Sequence, residues 1–205
     1  MIYIIITTCL INKVGIKNNV ERKDRYTVCI KNALKMIESD QSFKPIIVEN
    51  SGCFTQTFLN SFNCDVVYTT NNKLNFPHKG NNELLDIKEV IRRYNINDND
   101  TIIKLTGRYK LLNLNFLDLV KKTHDTYDAF VKFYNVCTTQ YMLNDCVLGL
   151  FAIKCKYLKE FNYKFIKSAE CEFAEYVRTK INNLTEINQL EIECCFADDS
   201  RLLIV

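Results

Sequence analysis

Tryptophan is absent from the 205-residue sequence, histidine and proline each occur twice, and glycine occurs five times. Two prolines and five glycines leave no Pro/Gly-rich linker, so the chain reads as one continuous domain over residues 1–205, long enough to bury a sizeable core. The histidines, His78 and His124, lie far from any cysteine cluster, and no Cys-x-x-Cys pair occurs; both facts argue against zinc. So few histidines also leave little room for a Ser–His or Cys–His dyad, and no Gly-x-Ser-x-Gly, His-Glu-x-x-His or Walker sequence is present. There is no block of like charge, and a net charge of +3 gives no case for a nucleic-acid partner. A membrane span is excluded on length: the apolar opening "MIYIIITTCLI" is far short of the roughly 20 residues required. It also lacks the basic start and small-residue cleavage pattern of a signal peptide, and its β-branched content marks a first strand.

What is present is an ordinary globular balance, 47% hydrophobic and 25% charged residues, which excludes a disordered chain. The ten cysteines fall mostly inside apolar runs, so they read as reduced thiols packed as small hydrophobes in a cytoplasmic setting.

Strand and helix signals alternate. Strands are expected at 2–8, in "KPIIVEN", in "CDVVYTT" and at 101–109. Helices are expected near 21–38, from Asn81 or Asn82 to Tyr94, near 116–123, and from about 169 to 182 with Ser168 as N-cap. "YDAFVKFY", "CVLGLFAIK", "LEIECCFA" and "RLLIV" are strand-like, the last as an edge strand or the end of a domain cut from a longer polypeptide. Alternation in the first half implies parallel pairing with helices on both faces, and the second half reads as a mixed extension of the same sheet.

In an open α/β sheet, ligands bind beyond the carboxyl ends of the strands. Those ends are polar here: Thr7–Thr8, Glu49–Asn50–Ser51–Gly52, Thr69 to Asn72, and Thr106–Gly107–Arg108–Tyr109. Turn-forming residues end strands anyway, but Glu49, Lys104 and Arg108 are not turn formers. Strand alternation places Lys104, Thr106 and Arg108 on one face, and the two cations then bracket about 13 Å of rim. An ammonium and a guanidinium on one edge suit a phosphate or diphosphate, and Gly107 lets a ligand or loop approach the backbone. Lys79 and Gly80 lie just before a helix N-terminus, itself favourable to anions. The plainer alternative pairs Lys104 with Glu49 or Asp100 and leaves Arg108 solvated.

The ordered segments "IYIIITT", Arg25–Tyr26, "IIVENSG", "HKGNNELL", "DTIIKLTGRYKL", "VLGLFAIKCKYLKEF" and "AECEFAEYV" together resemble small GT-A-type glycosyltransferases. Such proteins serve surface-glycan synthesis in bacteria and large DNA viruses. The resemblance covers most of the chain. It implies a Rossmann-like, mainly parallel sheet flanked by helices, with a nucleotide-sugar donor (UDP- or GDP-sugar) on residues 1–110 and a glycan acceptor on 111–205. The family usually holds a divalent metal with Asp-x-Asp. Here "DND" (98–100) precedes the strand and reads as a turn, while Thr106, Gly107 and Arg108 stand at the strand end. Metal dependence is therefore open, with Lys104, Arg108 and Lys79 expected to neutralise the diphosphate instead.

An inverting transfer needs a carboxylate base, and the resemblance places it at the helix opening with Glu170 and Glu172. The two point about 200° apart on a helix, and Glu170 is favoured, although first-turn acids also complement the helix dipole. Asp145, on the implied acceptor side, is a secondary candidate. The expected assignment has Thr7, Thr8, Glu49 and Asn50 around the nucleoside, the cations on the phosphates, and Glu170 as base. A nucleotidyltransferase and a non-catalytic nucleotide- or glycan-binding domain are the alternatives.

Overall fold

The computed structural model describes residues 1–11, 19–52, 56–133, 144–196 and 200–205. Strand β1 (Ile2–Thr8) lies at the heart of a seven-stranded sheet, paired in parallel with β2 (Phe43–Glu49) on one side and β4 (Thr101–Thr106) on the other. β3 (Asp65–Tyr68) extends the β2 side in parallel. Beyond β4 lie β7 (Leu150–Lys154), β6 (Ala129–Val131) and β8 (Leu184–Glu186), giving the order β3-β2-β1-β4-β7-β6-β8. β7 is antiparallel to both β4 and β6, while β6 and β8 run parallel.

Each half of the core follows from side-chain alternation. Ile4 and Ile6 of β1 with Ile103 and Leu105 of β4 face helix α1 (Asn19–Ile37), which buries Tyr26, Ile30, Ala33 and Ile37 at helical spacing. Helix α3 (Asn115–Thr123) covers the same face with Phe116, Leu117 and Val120. Ile5, Ile46, Val48 and Ile102 point the other way, onto Leu84, Ile87, Val90 and Ile91 of α2 (Gly80–Arg93). Phe173, Ala174 and Val177 of α5 (Ala169–Lys180) complete that layer. Burying each such isoleucine stabilises the fold by about 1.5–3 kcal/mol.

Three expectations need correction. The chain's last strands do not extend the large sheet. β9 (Ile192–Cys195) and β10 (Leu202–Ile204) form a separate three-stranded antiparallel sheet with β5 (Lys110–Leu111), in which β10 is an edge. Neither Asn81 nor Asn82 caps α2, because the helix begins one residue earlier at Gly80, and Asn82 Nδ2 instead donates to Asn71 O at 2.6 Å. The fourth strand stops at Thr106, so Arg108 leaves it in a turn and the 13 Å extended spacing does not apply. A short helix α4 (Cys155–Glu160) and strand β8 carried too few residues to signal themselves. Ser168 does cap α5, accepting from Cys171 N at 3.3 Å. Among the described residues no helix is long and apolar enough to cross a membrane.

Candidate active site

The connections from β1 through β2 to β3 move outward in one direction, and the chain then returns to place β4 on the opposite side of β1. Such a reversal leaves a crevice at the carboxyl ends of the two diverging strands. A cleft of about 380 Å³ lies there. Its floor is Thr7 and Thr106, which are register partners on β1 and β4. Gly80 and Ala169 bring the starts of α2 and α5 together: a Cβ on Gly80 would lie 2.7 Å from the Ala169 Cβ. Two helix N-termini therefore face the cleft with their partial positive charges. The missing side chain of Gly80 is what that packing requires, and Gly80 also lines the cleft.

Arg22, Lys79, Lys104 and Arg108 line the cleft, opposed among the described residues by two carboxylates, Glu83 and Glu170. Lys104 differs from the other cations. It is 2% exposed, and its ammonium contacts Thr106 Oγ1 at 2.6 Å, Leu148 O at 2.7 Å and Glu83 Oε2 at 2.9 Å. An ammonium has three N–H donors, so none is left for a phosphate. Its expected ion-pair partners, Glu49 and Asp100, are also replaced, by Glu83. Burial pushes the Lys104 ammonium below its ordinary pKa, only partly offset by Glu83. Burial pushes the Glu83 carboxyl up, but Lys104, Arg108 and Lys79 together bring it below its ordinary value. The Glu83 carboxyl is therefore ionised at neutral pH.

Arg108 anchors its Nε on Cys195 O at 2.7 Å and rides 5.6 Å from the Tyr109 ring centre, leaving a guanidinium held rigidly at the cleft wall. Lys79 is exposed at the lip. Arg22 was not anticipated. It reaches the cleft from α1 with Nε on Cys9 O at 2.7 Å and Nη2 on Tyr26 Oη at 3.2 Å. Its position four residues before Tyr26 is the signal that could have found it. Arg25, adjacent to Tyr26, instead ties α1 to the second sheet through Glu193 at 2.8 Å and Arg108 O at 2.9 Å.

Glu49 does not line the cleft. Its fully buried carboxylate accepts from Leu10 N at 3.1 Å, Ser51 N at 2.9 Å and the hydroxyls of Thr8 (2.6 Å) and Ser51, so it shapes the loop after β1. Asn50 and Thr8 do line it. Asn50 Nδ2 donates to Asp86 Oδ2 at 2.7 Å, which leaves its Oδ1 without a hydrogen bond among the described residues, as is Thr7 Oγ1. Asp86 also accepts from Thr69 Oγ1 (2.6 Å) and Asn71 Nδ2 (2.7 Å), knitting the ends of β2 and β3 to α2. Burial pushes the Asp86 carboxyl up to about 6 despite these bonds.

Gly107 is approached closely by protein and is not part of the cleft lining. A Cβ there would lie 2.9 Å from Thr8 Cγ2 and 3.1 Å from the Thr7 carbonyl oxygen. At the opening of α5, Glu170 lines the cleft and Glu172 does not. The Glu172 carboxylate accepts backbone N–H bonds from Lys164 (2.6 Å), Ile166 (2.6 Å) and Lys167 (3.1 Å), bracing the preceding loop. Asp145 is fully buried and outside the cleft lining, though Cys146 to Gly149 after it contribute to the wall.

A divalent metal held by protein alone needs several oxygen ligands, whereas one shared with substrate phosphates needs only one or two carboxylates. Among the described residues no group of three His, Cys, Asp or Glu side chains is placed to hold one, and one of the two cleft carboxylates is tied to Lys104. "DND" lies at the start of β4, away from the cleft, with Asp98 on Lys159 at 2.6 Å and Asp100 on the N-terminal amine at 3.0 Å.

Neither a protein-family model nor a curated protein sequence matches the chain. Solved structures do match in fold. A protein of Desulfovibrio desulfuricans G20 assigned as a nucleotide-diphospho-sugar transferase superposes with a TM-score of 0.59 at 9% identity, over 91% of this chain and 79% of that one. CMP:2-keto-3-deoxy-manno-octonic acid synthetase, in complex with CTP, gives 0.54 at 10% identity, over 91% and 89%. The mannosyltransferase PcManGT of Pyrobaculum calidifontis, bound to GDP-Man and Mn²⁺, gives 0.53 at 10% identity, over 91% of this chain and 54% of its own. The fold is thus the mixed α/β fold that nucleotide-diphospho-sugar transferases share with nucleotidyltransferases. Identities this low establish the fold alone.

Proposed function

We propose that the chain transfers a sugar from a nucleotide-sugar donor to a glycan acceptor. The observation that carries this reading is the cationic cleft at the β1/β4 switch point, with Arg22, Lys79 and Arg108 opposite Glu170 at the start of α5. In this scheme Thr7 and Asn50 receive the nucleoside, and the three cations hold the diphosphate. An acceptor hydroxyl attacks the anomeric carbon as the bond from that carbon to the phosphate oxygen breaks. Glu170 takes the hydroxyl proton, and the nucleoside diphosphate leaves with the bonding electron pair, its charge met by the guanidinium and ammonium groups. Lys104 contributes only its field, through Thr106 and Glu83.

The nucleotidyltransferase reading shares the fold and predicts a different product, pyrophosphate released from a nucleoside triphosphate. Thermal shift against UDP- and GDP-sugars in EDTA, followed by assay of nucleoside diphosphate release, separates the two. Stabilisation by a nucleotide sugar in EDTA, with Glu170→Gln retaining that binding while losing turnover, supports glycosyl transfer. An absolute Mg²⁺ or Mn²⁺ requirement, or full turnover by Glu170→Gln, overturns the scheme.

A further inference from the structure

Beside the cleft, a strained loop presents an aromatic surface that the scheme above does not use. Phe165 has a backbone φ of 61°, in the left-handed region that bulky side chains avoid. The neighbouring amides of Lys164, Ile166 and Lys167 are all held by the Glu172 carboxylate, so the loop is actively kept in this conformation. Its result is to stack the Phe165 ring on Phe76, with centroids 5.8 Å apart and planes at 8°. Phe165 also tilts onto His78 at 5.2 Å, and His78 lines the cleft. Yet Phe165 remains 39% exposed, with Leu74 (48%) and Ile166 (78%) exposed nearby in the same two loops. The ring is thus carried on a left-handed backbone while part of its surface stays open to solvent. Backbone strain retained at a rim, with an exposed aromatic stack as its product, points to a ligand.

We infer that the Phe76–Phe165 stack is the platform on which a pyranose ring of the acceptor lies. The apolar C–H face of a sugar packs against a flat aromatic surface, and its hydroxyls stay free for polar partners. The platform is continuous with the cleft along both of its own segments, through His78 to Lys79 and through Ser168 to Glu170. A ring held on Phe165 therefore directs the next sugar of the chain towards Glu170. This assignment relies on the proposed transferase only for the role of acceptor; the sugar site itself stands on the loop geometry.

The test is saturation-transfer NMR of the whole chain with methyl α- and β-glycosides of glucose, galactose and mannose at millimolar concentration. Melting shifts with UDP and GDP are recorded on the same samples. Saturation of one ring face in at least one glycoside is expected, reduced at least fivefold in Phe165→Ala and in Phe76→Ala and retained in Phe165→Tyr. Phe165→Gly should melt above Phe165→Ala, because only glycine relaxes the backbone, and should bind sugar no better. Saturation with no nucleotide response supports the platform while removing the transferase reading. The inference is overturned if no glycoside is saturated, or if Phe165→Ala binds like the parent. It is also overturned if the chain sediments as a dimer that Phe165→Ala dissociates, since the patch is then a self-interface.

Discussion

Lys104→Met is the most informative single substitution. Met matches the length of the aliphatic stem, so packing against the α2 face changes little. What is lost is the ammonium at the centre of three contacts, Glu83 at 2.9 Å, Thr106 at 2.6 Å and Leu148 O at 2.7 Å. Removing one partner of a buried ion pair costs about 3–5 kcal/mol, mostly from the charge left behind. The Glu83 side chain is 30% exposed, towards the cleft, so water can partly solvate the stranded carboxylate. A cost of about 2–4 kcal/mol follows, with the two neutral acceptors accounting for about 1 kcal/mol of it. Adding Glu83→Gln should restore about half, because the unpaired charge disappears, and the magnitude of the coupling energy is this restored amount of about 1–2 kcal/mol plus the cost of Glu83→Gln alone. Urea unfolding of the parent, both single variants and the double variant measures this directly. The pH dependence has a definite sign. With Lys104 present, Glu83 titrates below its ordinary value, so its contribution exists above about pH 4.5 and is lost as pH falls through the lower folded pKa. In Lys104→Met the Glu83 pKa rises, so acidification from neutral pH should instead stabilise the variant relative to the parent. A loss under about 0.5 kcal/mol, or strictly additive single variants, would refute the assignment of Lys104 as a structural cation.

Other consequences can be checked with the same equipment. Asp86, raised to about 6 by burial, favours the folded state most below the unfolded pKa near 3.8, and this advantage fades as pH rises to 6. The span corresponds to on the order of 2–3 kcal/mol, so Asp86→Asn should flatten the stability–pH curve between pH 4 and 6; an unchanged slope would contradict it. Gly149→Ala would set a methyl 2.0 Å from the Tyr109 ring, and a destabilisation of about 1–3 kcal/mol or more should appear in thermal melts. Glu172→Ala should free the 164–167 amides to exchange with solvent, read by hydrogen exchange, while α5 beyond its first turn stays protected. Arg22→Ala and Arg108→Ala should each weaken nucleotide binding by about tenfold or more, as expected for loss of a charge-assisted contact of 1.5–3 kcal/mol.

The order of strands and helices was legible because it rests on local periodicity. Runs such as Ile4–Ile6 and Ile102–Ile103, the Tyr26–Ile30–Ala33–Ile37 stripe and the Ser168 cap all signal within a few residues. The location of the cleft also followed from sequence, since parallel strands end in polar residues on one rim. The sequence by itself could show that Lys104 and Thr106 share a face and that Glu170 and Glu172 diverge around a helix. It could not show what each side chain would meet. One acceptor of Lys104 is 44 residues away, at Leu148 just before β7, and two donors to Glu49 lie 39 and 41 residues back, at Leu10 and at Thr8 on the end of β1. Only the tertiary structure decided that Lys104 is saturated, that Glu49 braces a loop, and that Arg22 faces the cleft while Arg25 does not. The reason is physical: alternation and helical pitch set the direction of a side chain locally, whereas a buried charge takes whichever partner the packing of distant segments brings within about 3 Å.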